Sequence, residues 1–263
     1  MSARKLVVGN WKMTGTRARV HAFLESVCPA LPATHVCEAL VCVPFPLLPI
    51  AQAAWSGSAL RVGAQDASSA AEGPSTGDVS AALIAECGAA HVIVGHSERR
   101  AGHRESDGDV AAKARRVLDA GMTPIACIGE TAHQRDDNRT EAVLRQQVLQ
   151  MARVVQRDMG SVILAYEPLW AIGSGDSATV GMIEEVHAFI EHVITFHGVQ
   201  GAGAVRTIYG GSVHPRNAAS IMATPRVAGV LVGGASQRPD DFLEICRAAS
   251  RCAAEAPLCG GAF

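Results

Sequence analysis

The sequence predicts a closed (β/α)8 barrel, on three observations. Eight short β-rich apolar runs recur along the 263 residues. Segments with helical periodicity separate them. The runs are continuously apolar rather than alternating, as when both faces of a parallel strand are buried. Alternation of strand and helix builds βαβ units, and eight units in a chain of this length favour closure over a doubly wound open sheet. No low-complexity linker divides the chain. Residues 1–263 are therefore expected to form a single barrel domain, with 251–263 ("RCAAEAPLCGGAF") a frayed C-terminal tail.

In a parallel barrel, functional side chains gather at the C-terminal ends of the strands. The first run, Leu6–Trp11, delivers Asn10, Trp11 and Lys12. Ala39–Val43 opens an uncharged stretch to Leu60, but Pro44, Pro46 and Pro49 divide it into strand, turn and helix and argue against a membrane span. Leu60–Gln65 leads to Asp66, and His91–Gly95 to His96, Ser97 and Glu98. A helix is expected over Asp109–Ala120, after which Met122–Ile128 leads to Gly129 and Glu130. A second helix, Thr140–Arg157, precedes Ser161–Glu167, which carries a carboxylate to its tip. Val205–Tyr209 and Val227–Val232 are followed by Gly210-Gly211-Ser212 and Gly233-Gly234-Ala235-Ser236. An ammonium, an imidazole and a carboxylate thus converge on one rim beside two glycine turns. Such turns are either ordinary tight turns or anion cradles, since glycine lets backbone N–H groups approach a ligand with no Cβ in the way. Phosphate sites in barrels form after strands seven and eight, where both turns lie.

Composition narrows the function classes. At 48% hydrophobic and 18% charged the chain is globular, and a net charge of −2 gives no footprint for nucleic acid. No apolar signal core precedes "LVVGNW", so a cytoplasmic location is expected. Eight cysteines without a C-x-x-C pair suggest reduced, buried thiols rather than disulfides or a zinc site. His187, His192 and His197 look like a metal cluster, but steps of five turn a helix by about 140° each, so they cannot share one ion. They are expected on the surface, with no metal bound. Only Lys5, Lys12 and Lys113 of the 23 basic residues are lysine, so each of the three asks for a reason, since some sites accept a compact point charge and not a planar fork.

The motifs "GNWKMTG", "GHSERR", "ACIGE", "AYEPLWAIG", "YGGSV" and "LVGGAS" resemble the triosephosphate isomerase family in order and spacing, over about Lys5 to Ser250. The resemblance implies a dimeric TIM barrel that interconverts dihydroxyacetone phosphate and D-glyceraldehyde 3-phosphate, a step of glycolysis and gluconeogenesis, without a cofactor. It implies Glu167 as general base, His96 as electrophile and Lys12 as positive anchor. Asn10 matches a site-rim residue; Gly173, Ser212, Gly233 and Gly234 match the phosphate grip. Glu98 is expected to pair with Lys12, and Glu130 to support the site. The residue types suit the chemistry. A carboxylate can carry a proton between adjacent carbons, while a neutral N–H and a cation stabilise the enediolate. His96 opens a helix, where backbone N–H groups disfavour its protonation.

The same resemblance implies a lid over the site, since an enediolate phosphate left in water eliminates phosphate. Pro168-Leu169-Trp170 would be its stiff hinge, Ala171-Ile172-Gly173-Ser174-Gly175 its tip and Asp176-Ser177-Ala178 its second hinge. Ile172 and Leu231 resemble an apolar clamp over the base. Tyr166 is expected to bond toward Trp170 and Tyr209 toward Ala178. Three positions depart from the family. Asp176 stands where lysine is usual, and is expected to face solvent and cap the following helix. The third loop reads Gly73-Pro74-Ser75-Thr76-Gly77-Asp78 instead of Gly-Ala-Phe/Tyr-Thr-Gly-Glu, with Thr76 implied in the dimer contact. Ala228 replaces an aspartate. The altered loop leaves one alternative, an isomerase of a longer phosphorylated ketose such as a tetrulose phosphate.

Overall fold

The computed structural model describes residues 4–34, 36–172 and 178–255, the last three by backbone alone. Eight strands form the barrel: β1 (Lys5–Asn10), β2 (Cys37–Cys42), β3 (Leu60–Ala64), β4 (His91–Val94), β5 (Thr123–Ile128), β6 (Ile163–Tyr166), β7 (Arg206–Tyr209) and β8 (Gly229–Val232). They pair in sequence order, and β8 returns to β1, so the sheet is closed. Every pairing is parallel; Val8 of β1 stands between Leu40 and Leu231. The helices are α1 (Arg17–Val27), α2 (Leu48–Trp55), α3 (Ala81–Glu86), α4 (Ser97–His103), α5 (Asp107–Asp119), α6 (Ala132–Asp136), α7 (Thr140–Val155), α8 (Val180–Phe196), α9 (Pro215–Ala223) and α10 (Pro239–Glu255).

Period-2 alternation of the strands splits the core in two. Leu6 and Val8 cluster inside the barrel with Leu40, Ile93, Ile125 and Ile208. Val7, between them, belongs to the larger cluster shared with the helices. Both sides of each strand are therefore apolar, which is why the runs read as continuous. Helix starts follow local capping chemistry: in α5 the Ser106 side chain accepts from Asp109 N–H while Asp109 accepts from Ser106 N–H, closing a capping box.

Several expectations need correction. β1 and β2 begin earlier than the apolar runs, at Lys5 and Cys37, and β2 includes the charged Glu38, whose carboxylate meets Arg206 of β7 at 3.0 Å. Ser161 closes a 3-10 turn ahead of β6. Helix α10 continues to Glu255, past the boundary expected at 251, because Arg-Cys-Ala-Ala-Glu favours helix and Cys252 docks on the Ala219 carbonyl of α9. His187 is not on the surface: it is 1% exposed, bonded through Nδ1 to the Arg226 carbonyl at 3.4 Å and set edge-on to Tyr166. His192 and His197 are exposed as expected. The cap of α8 is Thr179, whose side chain accepts from Met182 N–H; Asp176, expected from sequence to cap this helix, lies outside the described residues. Ala228 packs against the inner cluster, and the nearby tie to α8 is made by Arg226 and Glu191 at 2.5 Å. The described cysteines are all free. Among the described residues no helix is long and apolar enough to cross a membrane, and no group of His, Cys, Asp and Glu is arranged to hold a metal.

Candidate active site

The ends of β1, β4, β6, β7 and β8 surround a cavity of about 310 Å³. Asn10, Lys12, His96, Glu167, Ile172, Ser212, Leu231, Gly233 and Gly234 all line it, so the described residues expected to act on or hold the substrate meet here with the clamp pair, while Glu98, Glu130, Tyr166, Tyr209 and the rest of 168–171 and Ala178 stand outside its lining. Thr76 does not; it lies on an exposed loop away from the cavity. Gly173, Ser174, Gly175, Asp176 and Ser177 lie outside the described residues.

Lys12 leaves β1 with a φ of +53°, a left-handed conformation that costs a side-chain-bearing residue energy and recurs at functional sites. Its N–H donates to Asn10 Oδ1 at 3.0 Å, which holds the strained turn. Its ammonium meets Glu98 at 2.5 Å, the pairing expected.

His96 is the cap of α4. Its Nδ1 accepts from Glu98 N–H at 3.2 Å, which leaves the ring proton on Nε2. Nε2 lies 3.2 Å from Glu167 Oε1, and the other carboxylate oxygen accepts from Ser97 N–H at 3.0 Å. Glu167 is 2% exposed, and both its oxygens are occupied. Its side chain fits because Gly210 has no Cβ, which would stand 2.9 Å from Glu167 Cγ. Beneath it lies a residue that sequence reasoning did not single out: the buried Cys127 thiol, pushed well up by burial first and the Glu167 charge second.

The backbone around Glu167 is fixed by neighbouring strands. Glu167 N–H donates to Ile128 O at 2.7 Å and Leu169 N–H to Glu130 O at 3.0 Å, extending the β5–β6 ladder to Leu169. A 3-10 turn over Leu169–Ala171 follows Pro168, in the segment expected from sequence to be the first hinge. Glu130 is fully buried and gathers three donors: Trp170 Nε1 at 3.0 Å, Tyr166 Oη at 3.2 Å and Arg135 at 3.3 Å. The Arg135 guanidinium also sits over the Trp170 ring at 4.7 Å. Tyr166 therefore reaches Trp170 through Glu130. Burial, then the Glu130 charge, pushes the Tyr166 hydroxyl upward. Burial raises the Tyr209 hydroxyl to about 12, opposed by the Ala178 backbone N–H beside it.

The opposite wall is built from backbone. Asn217 donates to Ser212 O at 2.9 Å, and Ser236 Oγ to Gly233 O at 2.7 Å, which fixes both glycine turns. A Cβ on Gly234 would meet nothing within 4 Å, and one on Gly233 only Lys12 Cε at 3.5 Å, so these turns present bare backbone to the cavity. His214 and Arg238 also reach this wall. The signal for Arg238 was its place just before the proline that opens α10. The whole arrangement holds a buried carboxylate, an imidazole N–H and an ammonium on one side, and an open backbone cradle for an anion on the other.

Comparison with known proteins agrees with this chemistry. The sequence profile described as triosephosphate isomerase matches residues 5–249. The triosephosphate isomerase of Acidiphilium cryptum is 46% identical over 254 residues, spanning 94% of this chain and 99% of its own. That of Cupriavidus taiwanensis is 45% identical over 245 residues, spanning 92% and 98%. The crystal structure of triosephosphate isomerase from Bartonella henselae superposes with a TM-score of 0.83 at 37% identity, covering 93% of this chain and 98% of that one. With its barrel closed, its rim residues gathered and its relatives matched nearly end to end, this chain belongs to the triosephosphate isomerase family.

Proposed function

We propose that the protein interconverts D-glyceraldehyde 3-phosphate and dihydroxyacetone phosphate, with Glu167 as base. The observation that carries this reading is the triad on one cavity: Glu167 Oε1 at 3.2 Å from His96 Nε2, with Lys12 lining the same cavity. The reaction moves one proton between adjacent carbons and is redox-neutral within the substrate, so it calls for an acid–base pair rather than an electron carrier. Glu167 exchanges its bond to His96 or Ser97 for the substrate C–H. As the carbon loses its proton, His96 Nε2–H and the Lys12 ammonium stabilise the charge that develops on oxygen. The phosphate rests against Ser212, Gly233 and Gly234, and Gly173 belongs to the same grip in the closed state. Closure of 168–178 carries Ile172 toward Leu231 and excludes water.

The Gly73–Asp78 loop was the only support for a longer ketose phosphate. It lines no part of this chain's cavity, and the family match over residues 5–249 gives the longer ketose no support. Its exposure instead favours a role in assembly as a homodimer, with Thr76 against the partner subunit. Free thiols at seven described cysteines, two of them (Cys37 and Cys246) close neighbours, favour a reducing compartment such as the cytoplasm. The chain is read as one barrel domain throughout. The test is Glu167→Gln assayed with D-glyceraldehyde 3-phosphate. A kcat loss of at least about 10²–10⁴ with little change in KM is expected, and a variant keeping a third of the parent turnover rules Glu167 out as base.

A further inference from the structure

We propose that Gln147, on α7 and outside the cavity, is a positioning residue for Glu167 and the first hinge. The inference rests on the proposed function above.

α7 packs on the barrel through Leu144, Val148, Met151 and Val155, an apolar stripe of helical spacing. Gln147 sits in that stripe and is 8% exposed. A buried amide is costly unless it is satisfied, and here both its ends are used on a single residue. Gln147 Oε1 accepts from Gly129 N–H at 2.9 Å, and Gln147 Nε2 donates to Gly129 O at 3.2 Å. The side chain thus acts as a one-residue strand partner, and the donor–acceptor pair fixes the orientation of the amide.

Gly129 is the middle link of the segment that carries the base. Its neighbours Ile128 and Glu130 accept the N–H groups of Glu167 and Leu169. Gly129 itself lies so close to the next strand that a Cβ would stand 1.8 Å from the Glu167 carbonyl oxygen. With no slack toward Glu167, any movement of Gly129 passes to Glu167 and Leu169. Among the described residues, the Gln147 amide alone bonds the Gly129 backbone polar groups. Gln147, Gly129 and Leu169 line one surface groove, and a Cβ on Gly129 would stand 3.3 Å from Leu169 Cδ1, so the clamp lies next to the segment proposed as the hinge. A shift of about 1 Å originating away from the chemistry can cost roughly 10²-fold in rate, which is why a contact outside the cavity matters here.

The experiment compares Gln147→Met and Gln147→Glu with the parent enzyme, measuring kcat, KM and inhibition by inorganic phosphate across pH 6 to 8. Methionine keeps the bulk and removes both bonds; it is expected to lower kcat at least about tenfold while KM and phosphate inhibition move less than about threefold. Glutamate keeps both bonds only when protonated, because an ionised carboxylate accepts but cannot donate to Gly129 O. Its deficit relative to the parent is therefore expected to shrink as pH falls, a dependence that a purely structural role does not produce. A folded Gln147→Met enzyme within twofold of the parent kcat, or one losing phosphate affinity in proportion, overturns the inference. If the methionine variant does not fold, a Gln147→Glu deficit independent of pH overturns it. A parent protein inactive on triose phosphates refutes the proposed function instead.

Discussion

Replacing His187 with glutamine should make the protein more tolerant of acid, and the size of the effect follows from its burial. The imidazole is 1% exposed, and burial lowers its pKa from 6.5 to about 4, with the bond to the Arg226 carbonyl opposing this shift. In the unfolded chain the ring protonates as pH drops through 6.5; in the folded protein it stays neutral until about 4. The unfolded state therefore binds more protons between these values, and stability falls as pH falls through that window. One such group removes about 2 kcal/mol between pH 7.5 and 5, the single-site linkage for these two pKa values. His91, also lowered to about 4 by burial, adds a similar loss but is present in both proteins and cancels in the comparison. Glutamine can still donate to Arg226 O and does not titrate. Urea unfolding at fixed protein concentration, at pH 7.5, 6.5, 5.5 and 5, should show His187→Gln losing about 2 kcal/mol less than the parent across the range. Parallel pH dependence, within about 0.5 kcal/mol, refutes the assignment of a neutral buried His187. The ring also packs edge-on against Tyr166, whose hydroxyl bonds to Glu130, so in the folded protein these contacts should loosen only as pH falls toward about 4 and the ring charges.

Gly129→Ala places a Cβ 1.8 Å from the Glu167 carbonyl oxygen, and stopped assays should show a kcat loss of at least about 10²-fold, with about 1–3 kcal/mol of stability lost by denaturant titration. Unchanged kcat would mean that the backbone carrying Glu167 tolerates displacement. Glycine at Pro74, Ser75 and Thr76 together should shift sedimentation toward monomers and lower activity in parallel; a parent that is fully active as a monomer at assay concentration contradicts the assembly proposed for this loop.

The barrel was legible because its strands are apolar on both faces, so eight runs stood out whatever their register. Their starts were less legible for a physical reason. Glu38 lies within β2, yet a carboxylate there looks like a loop until Arg206, 168 positions away, is known to meet it. The rim residues Asn10, Lys12, His96 and Glu167 were found because each sits directly at a strand tip, where chain position alone fixes the side chain toward the cavity. What escaped was polar chemistry in helices. His187 and Gln147 both occupy apolar stripes, His187 between Ile183 and Ile190 and Gln147 between Leu144 and Met151. Read one residue at a time, a histidine or glutamine belongs to solvent. Read by helical position, each has no route to water and must be bonded to something, since an unsatisfied buried polar group costs about 1–3 kcal/mol. The partners, Arg226 O and the two polar groups of Gly129, are backbone atoms without a side-chain signature. Sequence can therefore flag such residues as anomalies of a stripe, while only the fold reveals that the glutamine is bonded to the backbone beside Glu167.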